Sequence, residues 1–152
     1  MLIVLPHGVE LYGCLVGALL AGVCPALLAF PSPKLSEAVY LETFQKIVAA
    51  SRAGLAVVYE DIERIIRDSA DGQAIGDLTL LRPDTARPSG IVPTFDAPDP
   101  RSEVLLQYSS GTTGTKKGVS ISHEALAWQV DAYASAIGLS PEDRIVTWLP
   151  LY

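Results

Sequence analysis

Leu11 to Phe30 runs for 20 residues without a charged side chain, and Glu10 is the only formal charge between Met1 and Pro33. A stretch of that kind has two physical solutions. It crosses a bilayer as one helix, about 20 apolar residues spanning roughly 30 Å, or it lies in a folded core as several short elements. Gly13 and Gly17 have the small-residue spacing of a transmembrane helix–helix face, which favours the first solution. Three features favour the second. Gly13, Gly17 and Gly22 dilute a continuous helix, and Pro25 interrupts it. No Lys or Arg precedes Lys34, so the basic flank that orients a membrane span is missing on one side. The same lack of an early basic residue argues against a secretory signal. The segment is read as a buried strand, a buried helix and a second buried strand, with no stable membrane insertion.

The rest of the first half repeats that rhythm. Leu2 to Leu5 is a short apolar run closed by Pro6, and Val9 to Ala21 is a helix with Gly22 as its stop. Ala26 to Phe30 is again short and apolar, closed by Pro31 and Pro33. Ser36 is placed to cap a helix whose apolar stripe is Tyr40, Leu41, Phe44, Ile47 and Val48. Leu55 to Tyr59 reads as a strand. A short helix follows, with Ile62, Ile65 and Ile66 on one side. On its other side Glu60–Arg64 and Glu63–Arg67 are ion-pair candidates four residues apart. Strands alternating with helices predict an α/β fold, a mostly parallel sheet with flanking helices.

Composition narrows the function classes. Hydrophobic types make up 49% of the 152 residues, too many for a disordered chain. Seventeen acidic residues oppose 11 basic ones, a balance that argues against a nucleic-acid binder. Cys14 and Cys24 are the only cysteines, too few for a disulfide scaffold, and they read as small buried hydrophobes. Two Cys and two His so widely scattered offer no metal-site spacing.

The chain divides by texture into an α/β segment, 1–81, a proline-rich stretch, 82–103, and a final segment, 104–152. Pro83, Pro88, Pro93, Pro98 and Pro100 fall among Asp, Thr and Ser with almost no apolar periodicity. An interdomain linker and a long surface loop both fit. The loop is preferred, because neither flank is large enough for an independent core.

The most informative residues follow. Val104 to Tyr108 reads as a strand, and Gly118 to Ser122 as another. Between them Ser109 to Lys117 gathers serines, threonines, two glycines and two lysines in nine positions. Glycine lets backbone N–H groups turn towards one point and lets an anion approach closely. Short hydroxyls add donors and lysine adds charge, which is what a polyphosphate requires. Composition alone fits a flexible polar loop as well. The flanking strands favour the phosphate cradle. A Walker loop is excluded, because Lys116 and Lys117 precede Gly118 and a strand follows, not a helix. A dinucleotide fingerprint fails on the spacing of Gly111, Gly114 and Gly118.

In that order, Tyr108-Ser-Ser-Gly-Thr-Thr-Gly114 with Lys117-Gly-Val119 resembles the phosphate-binding signature of the adenylate-forming enzymes. That superfamily includes acyl-CoA synthetases, fatty acyl-AMP ligases and the adenylation domains of peptide synthetases. The likeness is strong over 104–123 and looser elsewhere: Ser122-His123 before a helix, the terminal Trp-Leu-Pro-Leu-Tyr, and the early strand–helix–strand with its Ala-Gly-x-x-Pro turn. The resemblance implies part of the large N-terminal domain of a cytoplasmic ligase. Such an enzyme activates a carboxylic acid with ATP to an acyl-adenylate and pyrophosphate, and then passes the acyl group to a thiol. The thiol is coenzyme A or a carrier-protein phosphopantetheine. Residue by residue, Ser109, Ser110, Gly111, Thr112, Thr113, Gly114 and Lys117 would hold the ATP phosphates, with Mg2+ alongside. One departure stands out: Lys116 occupies a place where the family commonly has proline.

No catalytic residue is assigned. Ser122 is expected to cap a helix starting at His123, with Leu126, Val130, Tyr133 and Ile137 as its buried stripe. His123 has no evident acid partner, His7 reads as structural, and Trp128 and Trp148 read as packing residues. Glu60, Asp61 and Glu63 read as a solvated face. The family's later acid-binding, adenine and ribose motifs and its small C-terminal domain are not in these 152 residues. The chain is therefore expected to be a piece of a longer enzyme, inactive by itself and exposing part of its apolar surface. Two alternatives are a short non-catalytic nucleotide-binding or interaction module and a protein anchored in a membrane by Leu11 to Phe30.

Overall fold

A computed structural model describes residues 1–31, 36–69, 75–87, 90, 97–108, 117–146, 149 and 151. The elements follow in the order β1 (Leu2–Val4), α1 (Val9–Leu20), β2 (Ala26–Leu27), α2 (Glu37–Ser51), β3 (Leu55–Val58), α3 (Glu60–Asp68) and β4 (Thr79–Leu81). A single 3-10 turn at Pro83–Thr85 precedes β5 (Glu103–Tyr108), β6 (Gly118–Ser122) and α4 (His123–Ile137).

Strands β1 to β4 form one parallel sheet in the order β2-β1-β3-β4, with Leu2 opposite both Ala26 and Ala56. Period-two alternation splits these strands between two cores. Leu2, Val4, Ala56 and Val58 face α2 and α3, where Tyr40, Phe44, Ile47, Val48, Ile62 and Ile66 cover them. Ile3, Leu5 and Val57 face the other way, onto Leu11 and the half-buried Cys14 and Leu15 of α1. The α/β reading with its parallel sheet holds.

Several local expectations are corrected. Helix α1 buries only Leu11 and Ala18, while Val9, Val16 and Leu20 face solvent. It covers one side of a sheet and so needs one apolar face. Its 12 residues are ended by Gly22 at φ 66°, whose N–H donates to the Leu19 carbonyl. No helix among the described residues is long and apolar enough to cross a membrane. Strand β4 was not foreseen, since three residues beside a glycine-containing turn carry too little pattern.

The charged face of α3 also pairs differently. Arg67 does bind Glu63, at 2.7 Å, but Arg64 takes Asp61 at 2.9 Å. Glu60 instead meets Arg82, which also reaches Glu63 and Asp84. The Arg82 side chain is three-quarters buried and ties the turn after β4 to the start of α3. Glu63, only 21% exposed, therefore does not belong to a solvated face. These carboxylates hold the Arg82 guanidinium well above its ordinary pKa.

Candidate functional site

Strands β5 and β6 are antiparallel, pairing Leu106 with Ser120, Gln107 with Val119 and Tyr108 with Gly118. Residues 109–117 join the two strands in sequence. Ser109, Ser110, Gly111, Thr112, Thr113 and Gly114 lie outside the described residues, as do Lys116 and Trp148. The stem on both sides is described, and Lys117 stands exposed beside Gly118.

The stem is fastened to the parallel sheet. Leu106 N–H donates to the Pro25 carbonyl at 2.9 Å, at the entry to β2. Glu103 lies close to Cys24, and Tyr108 shares a small cavity with Leu27. β5 thus runs alongside β2 in the same direction. Its far end, where the 109–117 segment begins, is on the carboxyl edge of the sheet. In open parallel sheets that edge is where ligands bind.

Side-chain packing narrows the stem further. A Cβ placed on Gly118 would lie 3.2 Å from both Leu106 Cδ1 and Tyr108 Cε1. The Tyr108 ring thus lies across the glycine, and it also packs against the cluster built on Phe44, Ile47 and Val48. Burial pushes the Tyr108 phenol above its ordinary pKa, and the neighbouring Ser51 hydroxyl at the end of α2 partly offsets this. The importance of Gly118 was not foreseen. Its signal was a glycine directly opposite an aromatic across the ribbon.

Behind β6, the start of α4 is built as expected. Ser122 Oγ accepts from Ala125 N at 3.2 Å. His123 N donates to the Ser102 carbonyl and Glu124 N to the Pro100 carbonyl, at 2.8 Å for the second. These bonds fasten the end of the proline-rich stretch to the helix. Arg101 N in turn donates to Asp99 Oδ1. The expected buried stripe is a correction: α4 buries no residue, and Val130, Tyr133 and Ile137 are each more than half exposed. Trp128, expected in packing, is 69% exposed. Helix α4 stands beside a two-stranded ribbon, which offers no broad sheet face to receive it.

Among the described residues, the remaining titratable groups form no reactive cluster. His7 Nε2 is 3.3 Å from the Tyr12 hydroxyl, their rings meeting edge to face. Cys14 and Cys24 are free and half-buried, a little less enclosed than expected. Burial raises both thiols, and the negative charge of Glu10 raises Cys14 further, so neither is primed as a thiolate. Among the described residues, no three His, Cys, Asp or Glu side chains converge as a metal site.

The family description AMP-binding enzyme matches residues 1–152. This chain belongs to that family. It is 28% identical over 135 residues to a putative acyl-CoA synthetase of Caulobacter vibrioides, covering 87% of this chain and 23% of that protein. It is 30% identical over 155 residues to the sulfoacetate–CoA ligase of Cupriavidus necator, covering 97% of this chain and 29% of the relative. A solved structure from work on the fatty acyl-adenylate ligases of E. coli and L. pneumophila superimposes with a TM-score of 0.85 at 23% identity. That match covers 99% of this chain and 27% of the other. The fold is accordingly that of the N-terminal domain of adenylate-forming enzymes. The chain spans about a quarter of the length of these relatives.

Proposed function

We propose that residues 104–122 form the phosphate-binding part of an ATP-dependent carboxylate-activating ligase, within a longer enzyme of the cytoplasm. The observation that carries this reading is the antiparallel ribbon of β5 and β6 at the carboxyl edge of the sheet. Its two strands bracket the Ser109-Ser-Gly-Thr-Thr-Gly114 sequence along the chain, and Lys117 is exposed just before the second. Ser109, Ser110, Thr112 and Thr113 supply hydroxyl donors. Gly111 and Gly114 let backbone N–H groups approach an anion, and Lys117 supplies a full charge. Donors held on a departing pyrophosphate stabilise its charge as the bond to the α-phosphate breaks, the largest kind of electrostatic help in phosphoryl-type transfers.

The reaction joins a carboxylic acid to the α-phosphate of ATP, giving an acyl-adenylate and pyrophosphate, and a thiol of coenzyme A or of a carrier protein then takes the acyl group. Mg2+ prefers phosphate oxygens with one or two carboxylates, so a donor set of hydroxyls, amides and one lysine suits the phosphates and leaves magnesium to the triphosphate. Residues 1–81 act as the scaffold, 82–103 as the connecting loop and 104–152 as the phosphate segment. The remaining parts of the active site are assigned to other segments of the longer enzyme. Acid-dependent exchange of pyrophosphate into ATP tests the reading. The full-length enzyme should exchange, Ser110→Ala and Lys117→Ala should each slow it at least tenfold, and residues 1–152 alone should not exchange. Full exchange by either variant overturns the assignment.

A further inference from the structure

We infer that Tyr108 is a positioning residue for the 109–117 segment, fixing its stem by clamping Gly118 against the core. The inference rests on the phosphate-loop reading above and adds a residue that touches no phosphate. Three observations converge on it. Tyr108 and Gly118 are direct cross-strand partners, the last pair before the ribbon opens. The space over Gly118 is filled by the Tyr108 ring and Leu106, so a side chain at 118 would have to displace them by a few tenths of an ångström. The same ring rests on the α2 side of the core, with Ser51 next to its phenol.

An aromatic laid over a cross-strand glycine is a known way of pinning register. Here the consequence falls on the residues next to the pair. Ser109 follows Tyr108 directly and Lys117 precedes Gly118 directly. Fixing the pair therefore fixes both ends of the segment that carries the hydroxyls and the lysine. A shift of the stem by one residue would turn Lys117 to the opposite side of the ribbon. A ligand that needs several donors at one point loses affinity when those donors are held loosely, although no donor has been removed. Gly118 is not in the left-handed region, so its requirement is one of space alone.

The test is MgATP affinity, measured by titration calorimetry on the full-length protein alongside the thermal midpoint of each variant. Tyr108→Leu removes the ring and is expected to weaken binding about tenfold. Tyr108→Phe keeps the ring and is expected to bind within twofold of the parent. Gly118→Ala pushes the ring away and is expected to weaken binding several-fold with little change in thermal midpoint. Ile66→Ala, buried under α3 in the scaffold and away from the mouth, is expected to lower the midpoint and leave affinity unchanged. Lys117→Ala reports on the underlying reading. If it abolishes binding while Tyr108→Leu and Gly118→Ala bind normally, the positioning role is wrong and the phosphate loop stands. If Ile66→Ala loses affinity in proportion to stability as Tyr108→Leu does, the effect of Tyr108 is merely structural and the inference falls. If Lys117→Ala binds as well as the parent, the phosphate-loop reading itself fails, and this inference with it.

Discussion

Helices α2 and α4 are each 15 residues long, each begins on a serine whose hydroxyl accepts a backbone N–H, and each stops at a left-handed residue. Ser36 Oγ accepts from Val39 N and Ser122 Oγ from Ala125 N, while Arg52 sits at φ 52° and Gly138 at φ 66°. Both carry an apolar stripe at helical spacing. Their surroundings nevertheless differ. Helix α2 buries Tyr40, Phe44, Ile47 and Val48 against a sheet face, and α4 buries nothing among the described residues. Capping and periodicity make a helix and choose its apolar side, but burial also needs a facing surface, and only α2 has one here.

Side-chain truncation should separate the two helices most sharply. Phe44→Ala is expected to cost about 3–5 kcal/mol, whereas Tyr133→Ala should stay within about 0.5 kcal/mol. Chemical denaturation of residues 1–152 measures both. A large loss from Tyr133→Ala would mean that α4 is covered in solution.

The helix ends provide a smaller and reciprocal contrast. Arginine in the left-handed region is strained and glycine is not, so Arg52→Gly should stabilise by up to about 1 kcal/mol. Gly138→Ala should destabilise its own helix by about the same amount. Because α4 adds little to the core, its loss should appear as local fraying in amide exchange, with the global midpoint scarcely moved. Coincident global shifts from both substitutions would erase the distinction.

Tyr40 tests the buried side in another way. Its hydroxyl is buried with no hydrogen-bond partner among the described residues, and burial pushes the phenol well above its ordinary pKa. Its neutral form is the one the fold accepts. Stability from this site is therefore complete below about pH 10 and is lost as the pH rises further. Tyr40→Phe should be neutral or slightly stabilising and should soften the alkaline transition, which a Tyr133→Phe control should leave unchanged. On the acid side, Arg82 holds the Asp84 carboxyl below its ordinary range, so that contribution is present above about pH 4 and fades as the pH falls further. Raised salt should weaken the Arg82 ties more than the α2 core, read as thermal midpoint against ionic strength.

Much of this was legible before the structure. Ser36, Ser122, Gly22 and the stripe of α2 are local signals, and local signals fixed those helices. The unbroken apolar runs Leu2 to Leu5 and Leu55 to Tyr59 showed buried strands, because both faces of a parallel strand are covered. What could not be read depends on residues far apart in the chain. Spacing alone paired Glu60 with Arg64, whereas the guanidinium that reaches it belongs to Arg82, 22 residues away. The stripe of α4 showed an apolar face without saying what would meet it. At the candidate site, the two strands and their order were legible, but the packing of the Tyr108 ring over Gly118 emerges only when the strands are put in register.

The central claim is that the ribbon formed by β5 and β6 presents a phosphate-binding segment with Lys117 as its charged member. MgATP titration of the full-length protein, comparing Lys117→Ala with Lys46→Ala on the exposed side of α2, tests it most directly. The claim predicts at least tenfold weaker binding for Lys117→Ala and parental affinity for Lys46→Ala. Equal affinity for the two variants would contradict it.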